Sequence, residues 1–557
     1  MRPRGPVPRP HGSWWKRGLA VLAILVVAVA IYIIATLPPR SIALTTPAPP
    51  TVLFGAYHVH TQRSDGAQSV DDITRAAARA NLRFVILTDH GDATRAPDPP
   101  VYRNGVLVID AVEISTAGGH VVAMGLEKAS PYPLGGAAPD VIDDIHRLGG
   151  WAVVAHPDSP KPDLRWSAWT TGYDAVEWLN ADSEWRDESP GRLGATILRS
   201  VVRGPESVAT LFSRPTATLA RWDAEAARRP IVGLAAIDAH GSLPLSGDTL
   251  FRAVSQGVEL DQELSGDAGD DARRVMDGLR RGRTFTIVAA TAAPAAIEFS
   301  AAQSGITVSA GGRLSGLTAE TTFRAAVPGA PDARLELLLN GRPLQAGKGS
   351  VGFVGPLERG AYRVEVTLGD SSMPWILSNP IYAGETAPEH ATASGPPVVR
   401  RTQLPLNRQW SIEHSAASGG GIALEGDDLR FAFQLGDDPA ANPYAAVVAG
   451  IEAGDALQTI EFVGRADRPM RIVVQVRMPG GGPEGLRWRR SVYLNETPRT
   501  IVIPLTEFEP VDTAAGLRLT GLIRSLLFVA DTVNSAPGAR GTVWLSHVTL
   551  GSHAPPE

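Results

Sequence analysis

The histidines of this chain are not spread evenly: seven of the 12 fall from His58 to His240, and none follows until His390. In the same stretch, residues able to hold a metal stand beside short apolar runs: His58, His60, Asp65, His90, Glu113, His120, His156, Asp238 and His240. Widely separated segments thus deliver imidazoles and carboxylates, and a fold that gathers strand ends is needed to bring them together. Parallel strands closed into a barrel do this, because reactive groups collect at their C-terminal ends.

The intervening sequence reads as that alternation of strand and helix. Ser69-x-x-Asp72 is a capping-box start for a helix to about Ala80, after which Phe84 to Leu87 forms a strand ending at Thr88-Asp89-His90. Val106 to Val112 predicts a strand with Glu113 at its end. Asp140 to Leu148 is helical and stops at Gly149-Gly150, and Trp151 to Ala155 leads into His156-Pro157. Ala175 to Leu179 and Ile231 to Ile237 repeat the device, the second running into Asp238-Ala239-His240. Residues 191 to 229 form a helical excursion between strands, a candidate lid.

Neutral imidazole and carboxylate suit Zn, Mn or Fe, and a bridging carboxylate lets two cations lie about 3.5 to 4 Å apart. His58-x-His60 and Asp238-x-His240 each put two side chains on one face of an extended segment. With no cysteine in the chain, a metal must be held by nitrogen and oxygen, and a disulfide framework is excluded. The absence also suits an oxidising compartment. At 557 residues several domains are expected, and a net charge of -6 without a basic stripe excludes nucleic acid as the natural partner.

Leu19 to Leu37 is an uncharged apolar run close to the ~20 residues that span a bilayer. Arg2, Arg4, Arg9, Lys16 and Arg17 precede it, with Trp14 and Trp15 at headgroup level, and no acidic residue occurs before Asp65. The expectation is a basic cytoplasmic N-terminus (1-17), a signal anchor (18-37) and a stiff Pro-rich spacer (38-51), with the rest exported across a bacterial-type inner membrane to the periplasm. A cleaved signal peptide is the competing reading. Its apolar core exceeds the usual ~7 to 15 residues, and the one small-residue cleavage site is near Ser41-Ile42-Ala43.

Tyr57-His58-Val59-His60-Thr61-Gln62-Arg63-Ser64-Asp65-Gly66, Thr88-Asp89-His90 and Ala155-His156-Pro157 together resemble motifs of the polymerase and histidinol-phosphatase (PHP) domain family. The resemblance covers about residues 52 to 290 and implies a distorted (β/α)7 barrel holding two or three divalent cations. It implies one metal on His58, His60, Glu113 and Asp238, with Glu113 bridging to a second on His120 and His156. Asp65, His90 and His240 complete a third site, and Asp65, His240 and Glu113 are the candidate catalytic groups. A core histidine is the alternative for His120, and some members carry histidine near the position of Asp65. Val275 to Phe285, followed by Trp375-Ile376-Leu377-Ser378-Asn379-Pro380-Ile381-Tyr382, resembles exported metallohydrolases related to bacterial carbaryl hydrolase. That brings carbamates and aryl esters into competition with phosphoesters.

A phosphate substrate calls for fixed positive charge, and Arg63, Lys161 and Arg165 are the candidates by proximity to ligands in sequence. Trp166, Trp169, Trp178 and Trp185 are candidates for an apolar wall suited to an aryl or sugar group, with packing as the plainer reading. Glu177 and Asn180 are expected to face the pocket, Glu177 behind the ligands rather than among them.

From about Pro294 the texture is β. Leu335, Leu337 and Leu339 alternate up to Asn340-Gly341, a hairpin signal, and an immunoglobulin-like sandwich is expected over 291-383. A polar linker (384-397) precedes a jelly-roll domain (398-557) resembling galactose-binding-like and carbohydrate-binding modules, where Trp410, Trp488 and Trp544 are candidate sugar platforms, with a core position as the plainer reading of one Trp per strand. Three functions stay open: a phosphoesterase acting on small phosphate esters, a carbamate, amide or ester hydrolase on the same barrel, and an inactive envelope glycan-binding protein. The ligand set argues against the third, since a non-catalytic barrel has no need of nine clustered metal-binding groups.

Overall fold

The computed structural model describes residues 14-44, 46-241, 247-384, 400-406, 410-451, 457-480, 485-511, 517, 519 and 522-552. The expected basic tail before residue 14 and most of the polar linker lie outside them. Helix α1, Trp14–Thr36, has 23 residues, none buried, and is long and apolar enough to cross a membrane.

Strand β1 (Val52–Val59) pairs in parallel with β2 (Phe84–Leu87), and helix α2 (Val70–Arg79) connects them. Both halves of the Ser69/Asp72 capping box are formed at the start of α2. A short strand β3 (Val101–Arg103) leads to β4 (Val106–Asp110), which pairs in parallel with β2. Here the chain departs from the expected single strand to Val112. It breaks at Ala111, so that β5 (Val112–Thr116) leaves β2 and pairs with β6 (Gly119–Met124) in a second sheet. Glu113 therefore lies inside a strand rather than after one.

That second sheet continues through β7 (Trp151–Val154), reached by α3 (Ala138–Arg147), to β8 (Ala175–Asn180). The excursion follows as α4 (Ala181–Arg186), α5 (Pro190–Ala209) and α6 (Thr216–Ala226), and returns to β9 (Val232–Ala236). Strands β7, β8 and β9 are mutually parallel, whereas β6 runs antiparallel to both neighbours. Isolated parallel bridges His90↔Glu113 and Val59↔Ala239 tie the two sheets at both edges. Antiparallel β6 presents its first residues at the end where the parallel strands present their last, which brings His120 level with the other candidates.

After α7 (Gly247–Leu250), β10 (Ser255–Glu259), α8 (Ala268–Arg280) and β11 (Thr284–Ile287), the sheet does not stop at the expected boundary of 290. Phe285, Thr286 and Ile287 pair with Ser378, Leu377 and Ile376, so the first sheet runs on into the next β layer. Asn379 closes the seam: its amide oxygen accepts from Gly233 N at 2.7 Å and its amide nitrogen donates to Gly233 O at 2.9 Å. The Trp375–Tyr382 motif is thus a joint. The facing sheet of this sandwich is built from residues 298-303, 306-309, 320-326 and 350-356. The hairpin at Asn340 and Gly341 belongs instead to the continuing sheet, and both residues have positive φ (52° and 78°), as an Asn-Gly turn requires.

The last domain has two six-stranded antiparallel sheets around a core containing Trp410, Phe431, Phe462, Trp488 and Phe528. Burial of Trp410 and Trp488 removes two of the three expected sugar platforms. Trp544 is half-buried, donates from Nε1 to Glu425 at 2.9 Å, and lies 3.8 Å from the Arg465 guanidinium. This domain also docks on α3. Buried Arg471 donates to Asp144 Oδ2 at 2.6 Å and to the Asp140 carbonyl at 2.9 Å, and Asn534 donates to Pro133 O at 3.1 Å. Arg471→Ala leaves buried Asp144 short of its main partner, so a loss of about 3 to 5 kcal/mol is expected in chemical denaturation, with early release of the last domain seen by limited proteolysis.

One further expectation changes. The excursion is not a lid as a whole, because α6 is held to the sandwich by a buried ion network around Arg363. The stiff Pro-rich spacer, for its part, is also tied to the globular part: Ile42 N donates to Thr291 O at 3.1 Å, Ala293 N to Ile42 O at 2.8 Å, and Ser41 Oγ to Ala289 O at 2.9 Å. Ser41 to Leu44, lying between prolines, has amides free to pair, and it pairs.

Candidate metal centre

The nine residues singled out from the sequence converge. Glu113 is buried at the middle, and each of its oxygens faces imidazoles. Oε1 accepts from His120 Nδ1 at 2.9 Å and His156 Nε2 at 2.8 Å. Oε2 lies 3.3 Å from His58 Nε2, 3.4 Å from His60 Nε2 and 3.3 Å from His90 Nδ1. Asp238 Oδ1 closes the first group, 3.5 Å from His58 Nε2 and 3.3 Å from His60 Nε2. Asp65 Oδ2, at the open side, lies 3.6 Å from His90 Nε2 and 3.2 Å from His240 Nε2. Four overlapping groups of three, drawn from eight of the nine residues, all but His156, have ligand atoms within 4.8 Å of one another: His58/His60/Glu113, His60/Asp65/His90, His60/Asp238/His240 and His90/Glu113/His120.

Local backbone explains how the rings meet. His58, His156 and Asp238 have φ of 65°, 29° and 49°, a region that side-chain-bearing residues seldom adopt, at about 1 to 3 kcal/mol each. The expected plain alternation in His58-x-His60 and Asp238-x-His240 is therefore replaced by a local reversal. The β1 register shifts between Tyr57 and Val59, which turns His58 inward beside His60, ring centroids 5.1 Å apart. Gly66 has no room for a side chain: a Cβ there would lie 2.4 Å from His60 O.

The second nitrogen of most rings is engaged elsewhere. His58 Nδ1 meets Glu177 Oε1 at 2.6 Å, His120 Nε2 meets Ser115 Oγ at 3.1 Å, and His156 Nδ1 meets Leu164 O at 3.1 Å. His240 Nδ1 meets the Asp238 carbonyl at 3.1 Å. Such partners fix the ring and its tautomer so that the inner nitrogen carries a lone pair toward a metal. His60 Nε2 gives the test of fit: it is buried without a hydrogen-bond partner, facing two carboxylate oxygens. A buried lone pair in that position fits a divalent cation.

The electrostatics agree. Burial opposes charge on His58 and His156, yet Glu177, Asp238 and Glu113 outweigh it for His58 and raise it well above its usual range, and Glu113 above all raises His156 to about 9. Burial likewise opposes charge on Glu113 and Asp238, but the surrounding imidazoles hold both well below the usual carboxylate range. Protons on the rings balance the acids, and a bound cation displaces those protons.

Other residues were under-read or missed in the sequence. Glu177 supports both sides of the site, since its Oε2 also accepts from His156 N at 2.7 Å. Asn180 donates to Asp238 Oδ2 at 3.2 Å and to Glu177 Oε2 at 2.9 Å while capping α4. Asp89, read only as the middle of Thr88-Asp89-His90, accepts from Thr61 N at 2.8 Å and Ser64 Oγ at 2.7 Å and so holds the loop that carries Asp65. Arg186 on α4 pairs with Asp182 and feels the charges of Asp238 and Asp65. No spacing signal marked it. Glu177→Gln keeps the shape but weakens the grip on His58, so metal affinity is expected to fall about 10- to 100-fold by competitive chelator titration.

The three residues chosen for substrate are not brought together. Arg63 is paired with Asp98 and, at 3.1 Å, with Asp110. Arg165 donates to Ser159 O at 2.9 Å and Pro160 O at 3.5 Å, and Lys161 is exposed. Trp166 and Trp178 are buried, the Trp178 indole donating to Thr286 Oγ1 at 2.9 Å, so neither forms a pocket wall.

No family model and no curated protein matches the chain. Among solved structures, a two-domain protein containing a predicted PHP-like metal-dependent phosphoesterase from Bacteroides vulgatus is similar at 14% identity and a TM-score of 0.29, over 59% of this chain and 95% of that one. A family 11 carbohydrate-binding module of a cellulosomal cellulase from Clostridium thermocellum is similar at 16% identity and a TM-score of 0.23, over 28% of this chain and 98% of that one. The same type of module in complex with a β-1,3-1,4-mixed-linked tetrasaccharide gives 17% identity over 28% and 98%, also with a TM-score of 0.23.

Proposed function

We propose that the chain is a membrane-anchored, extracytoplasmic metal-dependent hydrolase with two or three divalent cations (Zn, Mn or Fe), acting on small phosphate esters. The observation that carries this is the buried Glu113 carboxylate with imidazoles on both oxygens. In this reading the two tied sheets are a distorted (β/α)7 barrel of PHP type, and the following layers are immunoglobulin-like and jelly-roll sandwiches. His58, His60, Glu113 and Asp238 would hold one cation, Glu113, His120 and His156 a second, and Asp65, His90 and His240 a third.

Bound cations supply an activated water and take up negative charge as it develops on the substrate. The protein's own part is positional. Glu177, Ser115, Leu164 O and Asp238 O orient the rings, and burial at Glu113 and His58 keeps bulk water from the inner ligands. Asp65, half-exposed between His90 and His240, lies at the open side, where substrate would enter. Arg186, beside Arg63, Lys161 and Arg165, is a further candidate cation for an anionic substrate, because it feels the charges of Asp238 and Asp65. Carbamate, amide or ester hydrolysis remains the second reading of the same barrel, but the apolar wall it needs is weakened by burial of Trp166 and Trp178. Glycan binding by the last domain, if present, uses a surface other than Trp410 and Trp488.

The purified chain, stripped and reloaded with Zn, Mn or Fe in turn, should hydrolyse p-nitrophenyl phosphate or its diester faster than a naphthyl carbamate. Preference for the carbamate would move the substrate class to the second reading; turnover of none, with metal bound, would contradict both.

A further inference from the structure

The excursion helix α5 carries an apolar stripe that nothing among the described residues covers. Ile197, Leu198, Val201 and Val202 are 45%, 39%, 82% and 58% exposed, and their spacing of one, four and five residues puts them on one helix face. A monomeric soluble surface seldom leaves such a stripe open to water.

Its neighbours say what covers it. Arg199, between the two apolar pairs, donates to Thr36 O at 3.3 Å, the last residue of α1, and Arg203 donates to Pro38 O just beyond. Ser41 N donates to Glu206 Oε1 at 3.3 Å, and Ile42 is bridged to Ala292, so the chain leaving α1 is fixed to the globular part with no slack. The stripe therefore lies at the level where α1 ends. Beside it is a cleft of about 630 Å³ whose lining includes Arg40, Arg203 and Arg252, with Glu206 as the one acid and Val202 and Phe251 as apolar members. Arg203 stands where α5 kinks, and its Nε is buried without a hydrogen-bond partner.

We propose that this face docks on the bilayer. The stripe enters the interfacial layer beside α1, and the arginine cleft takes the phosphate of an anionic phospholipid headgroup. Apolar side chains flanked by arginines on an amphipathic helix match that layer, where acyl chains meet phosphates. The consequence is orientation: α1 fixes one point of the globular part at the membrane, and α5 adds a second contact that holds it in one attitude. The inference rests on α1 being a retained membrane span and is independent of the reaction proposed for the metal centre.

The cysteine-free chain permits a direct test. Single cysteines at Ile24 in α1, Val201 in the stripe and Val354 on the far sandwich are spin-labelled in the full chain. The protein is reconstituted in phosphatidylcholine vesicles with and without phosphatidylglycerol. Expected is collision of the Ile24 and Val201 labels with oxygen and their protection from a water-soluble nickel chelate, with the reverse at Val354. Phosphatidylglycerol should deepen Val201, and Arg203→Gln with Arg252→Gln should abolish that deepening. A Val201 label open to nickel while Ile24 is lipid-embedded overturns the docking face and leaves the span standing. A water-exposed Ile24 label overturns both. Spin-spin broadening at Val201 between copies would assign the stripe to a second copy instead, and absence of a phosphatidylglycerol effect would overturn the headgroup site.

Discussion

Glu113→Gln is expected to strip the centre of bound metal and to cut hydrolysis on the order of 100-fold or more. Glutamine keeps the volume but offers one oxygen where the carboxylate presents two, and its amide nitrogen points a donor at a ring that needs an acceptor. The side chain is buried and touches imidazoles of His58, His60, His90, His120 and His156, so no solvent oxygen can replace it. Metal per chain and turnover should fall together, while circular dichroism keeps the wild-type signature. Full metal content in the variant would remove Glu113 from its bridging role. The comparison with Glu177→Gln is informative, because a ligand and a residue that only orients a ligand should differ in metal stoichiometry as well as affinity.

Arg363→Met is expected to cost about 3 to 5 kcal/mol of stability, although it lies away from the metal centre. The guanidinium is buried, donates to both oxygens of Asp223 at 2.7 and 2.8 Å and to Glu365 at 2.6 Å, and lies 5.4 Å from the Trp222 ring. Arg214 binds Glu365 from the other side at 2.6 and 2.7 Å. Methionine fills the space but leaves Asp223 buried and unpaired, and the attachment of α6 to the sandwich strand 360-367 goes with it. Urea denaturation should show the midpoint falling; an unchanged midpoint would mean that water replaces the guanidinium and the network is not structural.

The same network sets an acid limb of stability. Burial raises the Glu365 carboxyl, but Arg214 and Arg363 more than reverse this, so its folded pKa lies below the ordinary 4.5. A group depressed in this way stabilises fully above its unfolded pKa and loses that contribution as pH falls through the folded value. The stability gap between wild type and Glu365→Gln is therefore expected to be full at neutral pH and to close below about pH 4.5, read by denaturation midpoints across pH.

What the sequence made legible is what is local or compositional. The α2 cap is written in Ser69 and Asp72, the hairpin in Asn340-Gly341, and the candidate ligands in residue types that have few uses in a strand-end position. What it hid depends on distant contacts. The positive φ of His58, His156 and Asp238 is imposed by surrounding structure on residues with no preference for it. The break at Ala111 carries the chain from the sheet of β2 to that of β6, and the run Val106 to Val112 has no Gly or Pro to mark it. Arg363 and Asp223 are 140 positions apart, and nothing in either neighbourhood announces the other. Trp488 stayed open between platform and core because a strand tryptophan looks the same facing a core or a sugar, and it lies in the core.

The measurement that bears most directly on the metallohydrolase reading is elemental analysis of the purified full chain, made alongside hydrolysis of p-nitrophenyl phosphate on the same sample. Two or three Zn, Mn or Fe per chain, with activity lost on chelation and restored on reloading, is the predicted result. A folded chain that binds no metal after reloading, with the Glu113 variant indistinguishable from wild type, would contradict it.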